Sequence, residues 1–424
     1  MTDDLLANSL NRHCHCINVD ADVLQESLDA RLGGLGAWAR LQDTHPHLLA
    51  GSPVFVSPAH VGQMKKVIEA VERVVALETY RKVVLGWAPP IAHNDPGAHG
   101  VFFGYDFHLT TDGPQLIEIN TNAGGALLLL QVASAQRLCC SEVENFVTGK
   151  VDTADLEHTF VEMFREELRA QRPDRELRRV AIVDENPFEQ YLSPEFLLFQ
   201  MMFRHHGIDA IIAGPEAFAL ENSQLLVDGK AVDLVYNRLT DFYLQSPVCA
   251  VLNRAYYDAA AVITPSPYAH ALYANKQNLT LLCDANRLDE LGVDRSTIAT
   301  LVQGIPRTEL VTAQNADALW AERKRLYFKP TWGFGSRGTF KGAKLTRKTW
   351  DSILSSNYIA QELVAPSERL VILGGNEQAL KLDLRCYTYK GIIQLLGARM
   401  YRGQTTNFRT GGGGLAAVFT APGS

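Results

Sequence analysis

The sequence predicts an α+β protein that carries a small parallel α/β lobe, and three observations lead there. Two apolar-rich strands close on a tight turn between Val101 and Gly125. A strand–helix–strand alternation begins at Arg178. From Ile263 onward a glycine-rich loop lies among alternating strands, whereas residues 20–85 place apolar side chains at helical spacing. A length of 424 residues predicts two or three domains. The expected divisions are 1–175 for a helical segment with the hairpin, 176–262 for the α/β lobe, and 263–424 for the lobes with the glycine loop.

Taken in order, VGQMKKVIEAVERVVALETY carries an apolar helical stripe with charges between. In VFFGYDFHLTTDGPQLIEINTNAGG the strands flank Thr111-Asp112-Gly113, and a three-residue loop ending in a left-handed Gly is a common hairpin connection. That loop pairs Leu109 near Gln115 and sets Asp106 opposite Glu118, with Asn120 on the same face. A two-residue Asp112-Gly113 turn would shift the register by one and send Asp106 to the other face. LLLLQVASAQRLCC, EVENFVTG and DLEHTFVEMFREELRAQ then read as helices. RRVAIVDENP is a strand. SPEFLLFQMMFRHHG is a helix opened by Ser193-Pro194 and stopped by Gly207. IDAIIAGP is a second strand, and AVDLVYNRL is a third after a hairpin around Asp228-Gly229. The ligand edge of such a parallel unit lies at the C-terminal strand ends, where Asp184, Asn237 and Arg238 fall.

The helix after Pro267 carries Lys276. Tyr327 to Lys329 is a strand that runs into Gly333, Gly335, Ser336, Arg337 and Gly338 and returns at Phe340. Tyr358 to Leu363 is another strand, and ALKLDLRCYTYKGIIQLLGARMYRG makes two long ones joined at Lys390-Gly391.

Lysine and arginine number 40 against 47 acidic residues, a net charge of −7. That balance argues against nucleic-acid or polybasic membrane partners, so any phosphate site must be a local basic pocket. No apolar run is long enough to span a bilayer, and MTDDLLANSL lacks the basic start of an export signal. Seven cysteines without regular pairing then predict reduced thiols and a cytoplasmic location. His13-Cys14-His15-Cys16 offers four zinc-type ligands, but alternate side chains of one strand point apart, so a partly buried structural stretch is the plainer reading. The sequence sets no oligomeric state.

Asp106, Glu118 and Asn120 on one face suit a hard ion such as magnesium, which often brings phosphates with it; the alternative is a solvated acidic face. Glycines let backbone N–H groups approach phosphate oxygens, with Lys329 as point charge and Arg337 as a fork of donors. The loop is neither a Walker loop nor a dinucleotide fingerprint, and an ordinary mobile loop remains the alternative. Gln361, Glu362 and Leu363 can offer groups to a nucleobase edge. Lys381, Asp383 and Arg385 share a face that suits a polyphosphate with its metal, or plain solvent. The tract holding Asn407 and Arg409 could close over an anionic intermediate. Arg238 beside Asn237 could grip a substrate carboxylate or sit in an ion pair. In HNDPGAHG, residues His93, Asn94, Asp95 and His99 could position an amine or act as base; equally, Asp95-Pro96-Gly97 could be only a turn.

Together KPTWGFGSRG, YIAQEL, LDLR and IEIN resemble the ATP-grasp superfamily. The resemblance implies ATP held between two α+β lobes, with one or two magnesium ions on Asp106, Glu118 and Asn120. It implies Lys276 and Lys329 on the phosphates, and Arg337, Arg385 and Arg409 on developing charge. A small-molecule carboxylate and an amine would be joined through an acylphosphate, releasing ADP. Glu118-Ile119-Asn120 precedes Lys329 in the chain, an order similar to the circularly permuted branch with glutathionylspermidine synthase and eukaryotic-type glutathione synthetase. Gly104 departs from the synthase branch, which usually has Arg two residues before the metal Asp. Asp383-Leu384-Arg385 and residues 404–414 depart as well, and either could supply the arginine instead. A small-molecule kinase on the same scaffold and a non-catalytic nucleotide-binding protein are the rival readings.

Overall fold

The computed structural model describes residues 3–32, 34, 36–137, 153–333 and 337–421. Cys139-Cys140, the helix expected at 142–149, Gly335 and Ser336 lie outside the described residues.

A seven-stranded sheet gathers elements from both ends of the chain. Its order runs Val54–Val56, Gly414–Thr420, Ile392–Tyr401, Asn376–Tyr389, Phe103–Thr110, Gly113–Asn120. Ser367–Leu373 pairs with the first half of Asn376–Tyr389, and Phe103–Thr110 with its second half. Alternation decides the two faces of that long strand. Leu380, Leu382, Leu384 and Cys386 are buried against Val67, Ile68 and Val71 of the helix Pro58–Val75. Lys381, Asp383 and Arg385 point the other way. Lys390 (φ 49°) and Gly391 (φ 73°) make the left-handed pair that a two-residue hairpin turn requires.

The early hairpin reaches the expected pairing by a different route. Its loop is two residues, Thr111-Asp112, because Thr110 pairs with Gly113 and Leu109 with Pro114, not Gln115. That register alone would put Asp106 opposite Ile117. A bulge between Asp106 and Phe107 shifts the pairing, so Asp106 faces Glu118 after all. The extra residue, Ile117, is left with a carbonyl outside the ladder.

The α/β unit is a parallel sheet in the order Val262–Thr264, Leu234–Asn237, Arg179–Val183, Asp209–Ala213. Arg179–Val183 and Leu234–Asn237 are buried throughout, as parallel strands covered on both faces should be. A third sheet, Thr308–Leu310, Tyr358–Glu362, Leu326–Pro330, Phe340–Lys341, carries the glycine loop between its last two strands in chain order before Tyr358.

Two local expectations change. The stretch 20–85 is interrupted by the buried strand Val54–Val56, which pairs in parallel with Gly414–Thr420. Lys276 is not on a helix: the helix capped by Ser266 ends at Tyr273, and Lys276 sits before Asn278–Leu282 with its N–H donated to Thr331 O (3.2 Å). Among the described residues no helix is long and apolar enough to cross a membrane.

Candidate active site

A cavity of about 1080 Å³ opens where the three sheets meet. Asp106, Glu118 and Asn120 enter it from the early hairpin. Lys276, Lys329, Gly333 and Arg337 enter from the glycine-loop side, and Gln361, Glu362 and Leu363 from the strand end beyond. Lys381, Asp383, Arg385 and Arg399 form a third wall, and Asp184 and Arg238 stand at the far end with Asn407, Phe408 and Arg409.

The two halves touch. Lys276 Nζ lies 3.0 Å from Glu118 Oε1 and donates to Gly333 O (2.8 Å). Lys329 Nζ donates to the Ile117 carbonyl (2.9 Å), the one freed by the bulge, and to Gln361 Oε1 (2.8 Å). Gln361 spends its amide N–H on Thr308 Oγ1 (3.2 Å), so its side chain orients Lys329 and is not offered to a base edge. Burial pushes Lys329 down to about 8, with Glu118 pulling against it. Burial pushes the Glu118 carboxyl up, but the charges of Lys276 and Lys329 outweigh it and hold it below its ordinary value.

Asp106 departs from the simple expectation of a metal ligand. Arg385 donates from Nε to its Oδ1 (2.7 Å) and from Nη2 to its Oδ2 (2.7 Å). Arg399 Nη2 (2.8 Å) and Asn120 Nδ2 (3.1 Å) also donate to Oδ2. Arg399 Nε donates to Asp383 Oδ1 (2.7 Å), and Thr406 Oγ1 to Asp383 Oδ2 (2.5 Å). Repulsion between facing carboxylates is thus relieved by side-chain cations. The two arginines overcome the upward push of burial and keep Asp106 below its ordinary pKa. Among the described residues, no group of three or more His, Cys, Asp or Glu side chains is gathered for a metal. Glu118 and Asn120 still fit a hard ion chemically: carboxylate Oε2 and amide Oδ1 have no hydrogen-bond partner among the described residues, and both side chains line the cavity.

The remaining expected residues divide. Arg238 lines the cavity, but it donates to Asn122 O (3.0 Å) and Tyr236 OH (3.2 Å) and lies 3.9 Å from buried Glu195, so its charge is already answered. Asn237 spends its amide on Pro265 O and Leu239 N. Asn407 uses its amide to organise its own loop, through Arg402 O, Thr405 O and Arg409 N. His93, Asn94, Asp95 and His99 do not line the cavity. Asp95 accepts from Gly97 N (2.8 Å), the turn reading of that segment, and His99 packs behind the hairpin on Phe103 and Tyr273. Gly338 has φ 68° and closes the glycine loop against Tyr358, whose OH donates to its carbonyl.

Sequence reasoning missed Arg399 and His108, and named Thr406 only as part of the tract 404–409, without its bond to Asp383. His108 shares a face with Asp106 by strand alternation, and its Nδ1 meets Val364 O (2.9 Å) at the strand end. Arg399 could be read only once its register with Asp383 was known.

The described residues form a mixed α+β fold. It matches a glutathione synthetase like-effector (GSS30) from Globodera pallida over 88% of this chain and 90% of that one, with a TM-score of 0.54 and 13% identity. A candidate gamma-glutamylcysteine synthetase from Methylobacillus flagellatus matches over 83% and 84%, at 0.45 and 13%. The ATP-grasp ligase PsnB, complexed with minimal precursor, Mg and ADP, matches 56% of this chain and 87% of its own, at 0.29 and 14%. At such identities the likeness is one of fold. No protein-family model and no curated protein matches the sequence.

Proposed function

We propose that the chain is an ADP-forming ATP-grasp ligase of permuted order, joining a carboxylate to an amine in the cytoplasm. The observation that carries this reading is the single cavity shared by Glu118 and Asn120 with Lys276, Lys329 and the glycine loop. A lone acidic face or a lone basic loop would have a bland explanation; their contact across the chain favours a polyanion bound with a cation.

The residues would act as follows. Lys276 and Lys329 attract the phosphates, and Arg337 and Arg385 answer charge that develops during transfer. Glu118 and Asn120 would hold magnesium, which supplies charge neutralisation to the phosphates. A carboxylate oxygen attacks the γ-phosphorus, and the bond to ADP breaks. The amine then attacks the acyl carbon and phosphate departs, leaving an amide and a released proton. The cavity's far end, at the C-terminal edge of the parallel strands, is the place for the two organic substrates. The glycine loop and residues 402–413 would exclude water from the acylphosphate.

The test is ADP release across a panel of amino acids, peptides and polyamines. Amide formation dependent on both an acid and an amine is expected, and Glu118→Ala should lower its rate by about 100-fold or more, as loss of one electrostatic group typically does. Unchanged turnover in that variant would sink the reading. A stable phosphoester formed without amine would instead establish the kinase.

A further inference from the structure

On the nucleotide reading above, we propose that Arg385 and Arg399 together form an anion-binding floor for the phosphates, and that Asp106 is the residue positioning them and not a ligand to the metal.

Three adjacent strands build this floor. Arg385 stands directly across from Asp106, and Asp383 directly across from Arg399. Arg399 then reaches over the middle strand to Asp106. Two carboxylates and two guanidinium groups thus alternate on one sheet face, and all four line the cavity. Each arginine commits Nε and Nη2 to carboxylates. For neither arginine does Nη1 have a hydrogen-bond partner among the described residues. Neither Nη1 is sealed from the cavity as a buried unpaired atom. A planar guanidinium clamped along one edge presents its remaining donor in a fixed direction, which suits a phosphate oxygen.

Asp106 has the opposite balance. Its carboxylate, on a residue 1% exposed, accepts four hydrogen bonds. A cation at Oδ2, which accepts three of the four, would have to displace a guanidinium or the Asn120 amide, and at Oδ1 it would stand against the Arg385 cation already bound there. Displacing a guanidinium is unfavourable, because removing one member of a buried pair leaves the other uncompensated. Gly104 supports the same assignment. A Cβ there would lie 2.6 Å from Ala123 Cβ and 3.1 Å from Arg385 Nε, so the missing side chain is the space Arg385 uses.

Three variants of the full chain test the proposal: Asp106→Asn, Glu118→Gln and Arg399→Gln. The probes are Mn²⁺, followed by its paramagnetic signal, and metal-free inorganic tripolyphosphate, followed by calorimetry. Glu118→Gln should weaken Mn²⁺ binding about tenfold or more, while Asp106→Asn leaves it within about twofold. Arg399→Gln should weaken tripolyphosphate binding about tenfold or more, the loss of a charge-assisted hydrogen bond, with Mn²⁺ binding unchanged. A loss of Mn²⁺ affinity in Asp106→Asn equal to that in Glu118→Gln overturns the assignment of Asp106. Failure of the wild type to bind tripolyphosphate, or equal binding by Arg399→Gln, overturns the floor. If Asp106→Asn does not fold, Arg399→Gln and the wild-type titration decide the floor, and Mn²⁺ relaxation in Arg385→Lys decides Asp106: a tightened Mn²⁺ site there would overturn it. Absence of ADP formation with every substrate pair sinks the ligase reading alone and leaves the tripolyphosphate result standing.

Discussion

Lys329 holds its ammonium between the Ile117 carbonyl and the Gln361 amide, and burial lowers its pKa to about 8. A bound triphosphate favours the charged form and raises that value again. Nucleotide affinity should therefore fall as pH rises past about 8, and binding in that range should take up a proton. Calorimetry in buffers of different ionisation enthalpy reads the uptake directly. The same shift has the opposite consequence for folding. Between the folded value of about 8 and the ordinary 10.5, the unfolded chain binds more protons, so this group's contribution to stability rises with pH across that window. The burial penalty is complete below it. Gly104→Ala should cost about 1–3 kcal/mol through overcrowding at Ala123 and should also turn Arg385 aside, so thermal unfolding and tripolyphosphate affinity drop together.

At the scale of elements, the loop that follows Ile392–Tyr401 is fastened at several points. Lys381 Nζ donates to Gly403 O (2.6 Å). Thr406 Oγ1 donates to Asp383, and Tyr191 donates to Phe408 O (3.1 Å) while its ring stacks on Phe408. Thr406→Val should release the fastening at Asp383 and raise ADP formation without amide, a ratio read by comparing ADP and product in one assay. The alternation in Lys381, Asp383 and Arg385 was legible in the sequence because a strand face needs only a period of two. The parallel strands at 179–183, 209–213 and 234–237 were legible as short apolar runs between turn residues. The bulge at Ile117 was not, since no residue there signals an extra position, and the correct facing of Asp106 and Glu118 rested on an incorrect turn. Val54–Val56 was not legible either: three buried residues between helices have no periodicity to read. Arg399 is of a third kind, visible in the sequence but without meaning until its cross-strand neighbour was known.

For the molecule as a whole, one buried carboxylate joins four segments. Glu167 on the helix Thr153–Gln171 accepts from His99 N (3.0 Å), Gly100 N (2.8 Å), Thr264 Oγ1 (2.6 Å) and Tyr389 OH (3.1 Å). These belong to the loop before the hairpin, the edge of the parallel sheet and the central sheet. Burial raises its pKa, and the four donors pull it back. Glu167→Ala would leave several buried donors unsatisfied, at about 1–3 kcal/mol each, so a loss of more than about 3 kcal/mol is expected in urea unfolding. A change under about 0.5 kcal/mol would show that water replaces the carboxylate.

The central sheet sets its first and last strands side by side, and this has a consequence during synthesis. Asp106 and Arg385 meet across 279 positions of chain, and Asp106 and Arg399 across 293. A ribosome has therefore released the acidic hairpin long before it makes the guanidinium groups that neutralise it. On the proposed reading, the arginine floor is completed only when the closing strands are made. Stalled chains ending at residue 375 should be blind to tripolyphosphate, whereas the finished protein released from the same ribosomes should bind it.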